Sequence, residues 1–283
     1  MCGTCGCSTK AHADGAIETQ SQLRDGASSH AHAHDHHADD SHAHDHVDDH
    51  GHVHDHGHED ERTMELGRLV LGENERLAER VRGILLAKGI AAINVVSSPG
   101  SGKTTLLERT LERIADTGLK TAVLVGDLAT DNDARRLSAT GTQAIQITTG
   151  NVCHLDAHMI LHGLEKLDLA EVDVLFLENV GNLVCPAAFD LGEDHRVVLS
   201  SVTEGEDKPL KYPTIFDGAD LALVTKMDLA EVLETDLDAL HSAIRDVAPA
   251  ARIVDVSARS GDGLDAWVQF IVEAAERKRA VAL

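Results

Sequence analysis

Large apolar side chains are nearly missing from the first 60 residues, where only Ile17, Leu23, Val47 and Val53 interrupt a mixture of His, Asp, Ala and Gly. So little apolar surface does not offset the entropy of ordering a chain, so residues 1–60 are expected to be disordered when metal-free. From Glu61 the pattern turns helical. Leu66, Leu69, Val70, Leu77, Val81, Ile84 and Leu85 recur among Glu and Arg and stop at Gly89, which predicts an amphipathic helix over 61–89. Residues 90–283 then alternate apolar runs with helical patterns. The predicted strands are Ala92–Ser97, Thr121–Gly126, Ala144–Thr148, Val174–Glu178, Val197–Val202, Leu221–Thr225 and Ile253–Ser257; the predicted helices are Thr104–Thr117, Asp156–Leu167, Ala230–Val247 and Gly263–Arg279. Near-continuous Val, Ile and Leu strands separated by helices imply an α/β domain with a mostly parallel sheet covered on both faces.

Composition sharpens this outline. The chain carries 25 Lys+Arg against 48 Asp+Glu, a net charge of −23, and its only sustained basic run is Arg277, Lys278 and Arg279 near the end. Such a balance repels phosphate backbones and argues against nucleic-acid or anionic-membrane binding. No apolar stretch is long enough to span a bilayer, and Met1 to Lys10 lacks the apolar core of a signal peptide; a cytoplasmic location is expected. The 19 His outnumber the aromatics, 1 Trp, 1 Tyr and 4 Phe, an imbalance that packing does not require and metal ligation does.

The segment Ser97-Ser98-Pro99-Gly100-Ser101-Gly102-Lys103-Thr104-Thr105 lies between a predicted strand and a predicted helix. It fits the phosphate-binding loop pattern with Ser97 at the first Gly position. Backbone N–H groups of Gly100, Ser101, Gly102 and the helix start through Thr105 are placed to cradle phosphates, Lys103 to reach the outer ones, and the Thr104 hydroxyl to meet Mg²⁺. Downstream, Lys226 and Asp228 follow one strand and Ser257 and Ala258 another. Asp228 can accept from the N1–H and amino group of guanine while a backbone N–H near Ala258 donates to O6. Adenine offers the wrong pattern, so GTP is favoured over ATP. Asp127 and Glu178 end strands where carboxylates can hold Mg²⁺ directly or through water and position the attacking water. Asp131 and Asp133 compete with Asp127 for that role. No arginine finger or catalytic Gln stands out, so slow intrinsic turnover is expected.

Five cysteines do not form a disulfide framework. Cys2, Cys5 and Cys7 put three soft donors beside the terminal amine, a set suited to Zn²⁺, Cu(I) or square-planar Ni²⁺. Fourteen His lie within the first 60 residues, offering many interchangeable weak sites suited to storage. Farther on, Cys153 and His154 follow one strand and Cys185 follows the Glu178-to-Asn182 turn. Buried inert thiols are the plain alternative, but the adjacent His and the loop placement favour a metal site, with His158 in reserve. Three ligands leave a position open for a second subunit. Movement of the turn between Glu178 and Cys185 would couple nucleotide state to metal affinity.

The terminal Cys-x-x-Cys-x-Cys, the His tract, Ser98-Pro99-Gly100-Ser101-Gly102-Lys103-Thr104-Thr105, Gly126-Asp127, Cys153-His154-Leu155-Asp156-Ala157 and Glu178-Asn179-Val180-Gly181-Asn182-Leu183-Val184-Cys185-Pro186 together resemble the HypB family of hydrogenase nickel-incorporation GTPases over essentially the whole chain. The resemblance implies a SIMIBI-class P-loop fold and a homodimer. It further implies GTP hydrolysis to GDP with Mg²⁺, and nickel delivery to the large-subunit precursor of a [NiFe]-hydrogenase with a small zinc-containing maturation partner. Carried over, it makes Cys2, Cys5 and Cys7 a tight Ni²⁺ site and Cys153, His154 and Cys185 a Ni²⁺ or Zn²⁺ site of the nucleotide-binding domain. Thr225 stands where the family pattern has Asn. Rival expectations are a urease-accessory-type GTPase, a nickel or zinc storage protein with a non-essential nucleotide domain, and an ATP-driven transporter component.

Overall fold

The computed structural model describes the backbone of residues 56–128 and 131–282; the tail, with Cys2, Cys5 and Cys7, lies outside the described residues. The elements run α1 (His56–Lys88), β1 (Ala91–Ser97), α2 (Lys103–Ile114), β2 (Thr121–Asp127), α3 (Asn132–Ser138), β3 (Gln143–Thr148), α4 (Ala157–Leu164), β4 (Val174–Glu178), β5 (His195–Ser201), α5 (Lys208–Lys211), α6 (Pro213–Phe216), β6 (Leu221–Thr225), α7 (Leu237–Val247), β7 (Arg252–Asp255) and α8 (Leu264–Ala282).

Among the described residues the strands form one seven-stranded sheet in the order β3-β2-β4-β1-β5-β6-β7, and every pairing is parallel. β1 and β4 are buried at every position, as strands covered on both faces must be. On one face α2 and α8 cover the sheet with Leu107, Ile114, Trp267 and Ile271, and the Trp267 indole donates to Thr110 Oγ1 at 2.9 Å. On the other, α1 and α4 bring Val81, Leu85, Ile160 and Leu164. A third cluster packs Phe216, Leu240 and Ile244 beneath β5 and β6. No helix among the described residues is long and apolar enough to cross a membrane.

The expected parallel α/β architecture is thus the observed one, with local departures. The helix expected over 230–247 begins only at Leu237, because Glu234 takes a left-handed conformation (φ 52°) and Asp236 caps the helix by accepting from Ala239 N at 2.9 Å. The last strand stops at Asp255; Ser257 N donates instead to Asp262 O at 2.9 Å, turning the chain. α3, seven residues long, is too short to show a period. In α1 the apolar stripe is split: Val81 and Leu85 are fully buried, whereas Leu69 and Val70 are 65% and 50% exposed. A 33-residue helix runs about 50 Å, roughly twice the reach of a seven-residue strand, so its first half extends past the sheet it covers.

Polar contacts fasten the covered half. Asn74, nearly buried, donates from Nδ2 to Asp190 O at 2.8 Å, and its Oδ1 accepts from Ala157 N at 2.9 Å. Arg82 forks onto Asp190 at 3.0 and 2.9 Å. Asn74→Ala is expected to lower stability by about 2 kcal/mol, since it leaves the Ala157 N–H buried and unpaired. An unchanged urea midpoint would show that apolar packing alone seats α1.

Candidate nucleotide pocket and metal centre

Parallel pairing puts the C-terminal ends of all strands on one edge, with β1 between β4 and β5 where the chain changes direction across the sheet. Ligands of open α/β sheets bind at such an edge. The loop after β1 is shaped by Gly100 (φ 75°) and Gly102 (φ 100°), positions that a side chain would strain, and leads into α2. Together with Thr104, Thr105, Asp127, Arg136, Glu178 and Gly181 it lines a cavity of about 480 Å³.

Lys103 is buried in this loop, and its Nζ donates to Ser97 Oγ at 2.8 Å. Ser97 thus does more than tolerate the first Gly position, because its hydroxyl anchors the lysine. Burial lowers the Lys103 pKa, opposed by the charge of Glu178. The Thr104 hydroxyl donates to Glu178 Oε1 at 2.7 Å. Glu178 is 3% exposed, its Oε2 has no hydrogen-bond partner among the described residues, and burial pushes its pKa up to about 7 against the pull of Thr104 and Lys103. A buried carboxylate oxygen without a partner, beside a hydroxyl and an ammonium, fits a divalent cation brought in with a triphosphate. Asp127 lines the same cavity, its Oδ1 accepting from Leu128 N at 2.6 Å. Of its two competitors, Asp131 is engaged by Arg135 at 2.6 Å, whereas Asp133 lines the cavity.

The other end of the loop is tied to the strands expected to read the base. Thr225 Oγ1 donates to Ser101 O at 2.8 Å and Lys226 Nζ to Gly100 O at 2.7 Å, with Lys226 itself left-handed (φ 59°). Asp228 Oδ1 accepts from Ser257 Oγ at 2.7 Å. The structure therefore gathers Lys226, Asp228 and Ser257, with Ala258 the next residue, behind the phosphate loop.

Cys153, His154 and Cys185 come together from two loops, with ligand atoms all within 4.8 Å of one another and the two sulfurs 2.8 Å apart. His154 is nearly buried, stacked on Phe189 at 3.8 Å between ring centroids. Its Nδ1 lacks a partner among the described residues, and burial lowers its pKa. A neutral imidazole between two thiols is the donor set that Zn²⁺ or Ni²⁺ takes. His158 does not join it; its Nε2 faces His162 Nε2 at 3.2 Å.

The sequence reading expected the turn from Glu178 to Cys185 to link pocket and cluster, but not the side-chain amides that fasten it. Asn179 Oδ1 accepts from Leu155 N at 3.1 Å, gripping the residue after Cys153-His154, while Asn182 Oδ1 accepts from Val184 N at 2.8 Å and Cys185 N at 3.4 Å. Gly126 gives Leu155 its place, since a Cβ there would come within 2.7 Å of the leucine side chain. Arg136 was also missed; it reaches the cavity from α3, held by Glu108 at 2.7 Å. Only the topology could have exposed these contacts, although an Asn directly after a strand-end Glu is a hint of side-chain bonding to a loop.

The raised Glu178 pKa sets a pH dependence. Its ordinary value is 4.5 and its folded value about 7, so the folded state holds the proton more tightly. The stabilisation is full below the ordinary value and lost as pH rises through about 7. In nucleotide-free protein the urea midpoint should fall between about pH 5 and about pH 8, and fall less in Glu178→Gln; parallel profiles would refute this assignment.

The family model for the CobW/HypB/UreG nucleotide-binding domain matches residues 91–255. The chain is 50% identical over 227 residues to the hydrogenase maturation factor HypB of Azotobacter vinelandii, covering 80% of this chain and 73% of that protein. It is 51% identical over 215 residues to HypB of Escherichia coli strain K12, covering 76% and 74%. The crystal structure of HypB from Helicobacter pylori in complex with nickel superposes with a TM-score of 0.70 at 39% identity, covering 73% of this chain and 97% of that one. By identity and fold, the chain belongs to the CobW/HypB/UreG family and, within it, to the HypB hydrogenase maturation factors.

Proposed function

We propose that the protein is a GTP-hydrolysing nickel metallochaperone that inserts nickel into [NiFe]-hydrogenase precursors, its nucleotide state controlling a metal site made by Cys153, His154 and Cys185. The observation that carries this reading is Asn179. It follows Glu178, which bonds the Thr104 hydroxyl of the phosphate loop, and its own side chain holds the segment bearing Cys153 and His154. The same strand-end loop continues to Cys185. A change at Glu178 on nucleotide binding or hydrolysis is therefore transmitted to both halves of the cluster through one hydrogen bond and a short stretch of backbone. The Helicobacter pylori relative was solved with nickel, which supports nickel as the cargo here.

In this reading Gly100, Ser101, Gly102, Lys103, Thr104 and Thr105 hold the phosphates, and Lys226, Asp228, Ser257 and Ala258 hold guanine. Thr104, Asp127 and Glu178 would hold Mg²⁺, which supplies charge neutralisation at the phosphates. Lys103 stabilises negative charge as the terminal phosphoryl departs, and Asp127 and Glu178 orient water, making catalysis a matter of position and electrostatics. Residues 1–60 form the metal-binding tail, 61–89 the amphipathic helix and 90–283 the GTPase domain, although the helix already starts at His56. Three donors at the internal site leave a position for a second copy, in keeping with a homodimer. The small zinc-containing maturation protein and the hydrogenase precursor are the proposed partners, in the cytoplasm.

Three experiments test this. Calorimetric titration of Ni²⁺ and of Zn²⁺, with GDP and with a non-hydrolysable GTP analogue, should show a nucleotide-dependent component in the wild type that Cys185→Ser removes; metal binding indifferent to nucleotide would favour storage. Lys103→Ala should abolish GTP turnover and hydrogenase maturation with metal content unchanged, whereas normal maturation would make the nucleotide domain non-essential. Asp228→Asn should weaken GTP binding by roughly 100-fold, because a donor replaces one acceptor facing the guanine N–H groups, and should weaken xanthosine triphosphate binding far less; equal losses would move base reading elsewhere.

A further inference from the structure

Asn94 stands in the middle of β1, a strand otherwise of Ala, Ile, Val and a terminal Ser, and it is fully buried. An amide in such a position is costly unless its polar atoms are met, and here a chain of hydrogen bonds meets them. Asn94 Nδ2 donates to Glu193 Oε1 at 3.0 Å, and Asn94 Oδ1 accepts from Asn179 Nδ2 at 3.4 Å. Asn179, equally buried, accepts at Oδ1 from Leu155 N at 3.1 Å and from Val180 N at 3.0 Å. At the far end Glu193 Oε2 accepts from Leu191 N at 2.8 Å, and Arg196 Nη2 donates to Glu193 Oε1 at 3.1 Å.

The two ends of this chain fix the direction of both amides. An ionised carboxylate only accepts and a backbone N–H only donates, whereas an Asn amide has one side of each kind. Glu193 therefore turns the NH2 group of Asn94 toward itself and leaves Asn94 Oδ1 facing Asn179. That oxygen takes the NH2 group of Asn179, which leaves Asn179 Oδ1 facing the Leu155 and Val180 N–H groups. Reversing one amide or both sets like against like at a buried contact and leaves polar groups unpaired. The chain also reaches the metal centre from both sides. Leu155 follows Cys153 and His154; Leu191, held by Glu193, comes shortly after Phe189, which closes the turn that begins at Cys185 and carries the stacked His154 ring. Both donor-bearing segments thus refer to one carboxylate.

We infer that Asn94 and Glu193 are positioning residues for the metal centre: Glu193 sets the direction of the Asn94 amide, Asn94 sets that of Asn179, and Asn179 so directed holds the Cys153-His154 segment to the end of β4. Neither residue touches the phosphate loop or the metal donors. The consequence for nickel, that breaking this chain uncouples metal affinity from the nucleotide, rests on the chaperone reading; the placement of the Asn179 amide does not.

Hydrogen exchange of the full-length protein, read residue by residue, tests this. In the wild type the NH2 protons of Asn94 and Asn179 should exchange slowly, as buried and bonded protons do; exchange at the rate of exposed Asn side chains overturns the proposal without any variant. Asn94→Leu keeps the size and removes both bonds, and Glu193→Met removes the accepting oxygens at the other end should the first variant fail to fold. In either folded variant the Leu155 and Val180 amides should exchange about fivefold faster or more, while buried strand amides such as those of Leu124 and Leu223 keep their wild-type rates. Unchanged rates at Leu155 overturn the proposal, and so does one common acceleration of all four amides, the mark of a merely structural role. Ni²⁺ titration with saturating GDP and with a saturating non-hydrolysable GTP analogue reads the consequence: the ratio of the two affinities should collapse toward one in both variants. A ratio that survives faster Leu155 exchange overturns the coupling through this chain. A wild type with no such ratio, but with selective acceleration at Leu155 in the variants, removes the nucleotide-control reading and leaves the positioning role standing.

Discussion

Parallel pairing of β1 with β4 is the constraint from which the site follows. With Val95 opposite Glu178, and with Asn179 N donating to Val95 O at 3.1 Å, the last residue of β4 is locked beside the strand that feeds the phosphate loop. The carboxylate therefore meets the Thr104 hydroxyl without any adjustment of a mobile element. Because both strands are buried along their length, a register slip would disrupt close packing on both faces of the sheet and carry Glu178 away from the Thr104 hydroxyl, a cost far above that of any single surface contact. The geometry of this pocket is in this sense a by-product of core packing, and it is held as firmly as the core.

The same edge explains why a thiol–imidazole cluster can sit near a nucleotide pocket without sharing a residue with it. β3 ends at Thr148 and its following loop brings Cys153 and His154 over the end of β2, where Gly126 leaves space for Leu155. β4 sends Cys185 to meet them from the other side. Each loop is short of internal regular structure, so its position depends on side-chain amides: Asn179 across to Leu155 N and Asn182 onto its own turn. A buried amide holding a backbone N–H has two discrete states, made or broken, and breaking it costs about 1–3 kcal/mol. That is the scale of typical allosteric coupling free energies, so this one contact is large enough to couple the two sites.

The architecture and most of the pocket were legible because they are local in sequence. Strands show as continuous apolar runs, the phosphate loop as a contiguous string, and Asp127 and Glu178 as acids closing such runs. Cys153, His154 and Cys185 were expected to form one site, and the loops after β3 and β4, the two strands that flank β2, bring them together. What stayed hidden depends on pairs distant in sequence. Asn74 and Ala157 are 83 positions apart and Leu155 and Asn179 are 24 apart; an Asn in an apolar stripe or after a strand does not name its partner. The late start of α7 was hidden for a different reason. The apolar period continues through Ala230 and Val232, and only a left-handed Glu234 and the Asp236 cap interrupt it.

Donor chemistry orders the candidate metal-binding elements of this chain. The tail carries imidazoles in excess together with the thiols of Cys2, Cys5 and Cys7, and the internal cluster offers two thiols with a nearly buried, neutral imidazole. Thiolates bind borderline metal ions more tightly than imidazole alone, and burial removes competing water. An ion moving from the imidazoles of the tail to the internal cluster therefore gains affinity, so that step needs no energy input. Release is the uphill step, and it is at release that a nucleotide-driven change in the loop from Glu178 to Cys185 would be required. On the proposed reading, hydrolysis serves to lower affinity at the last site, which is why the contact through Asn179 matters more to function than the tightness of any one metal site.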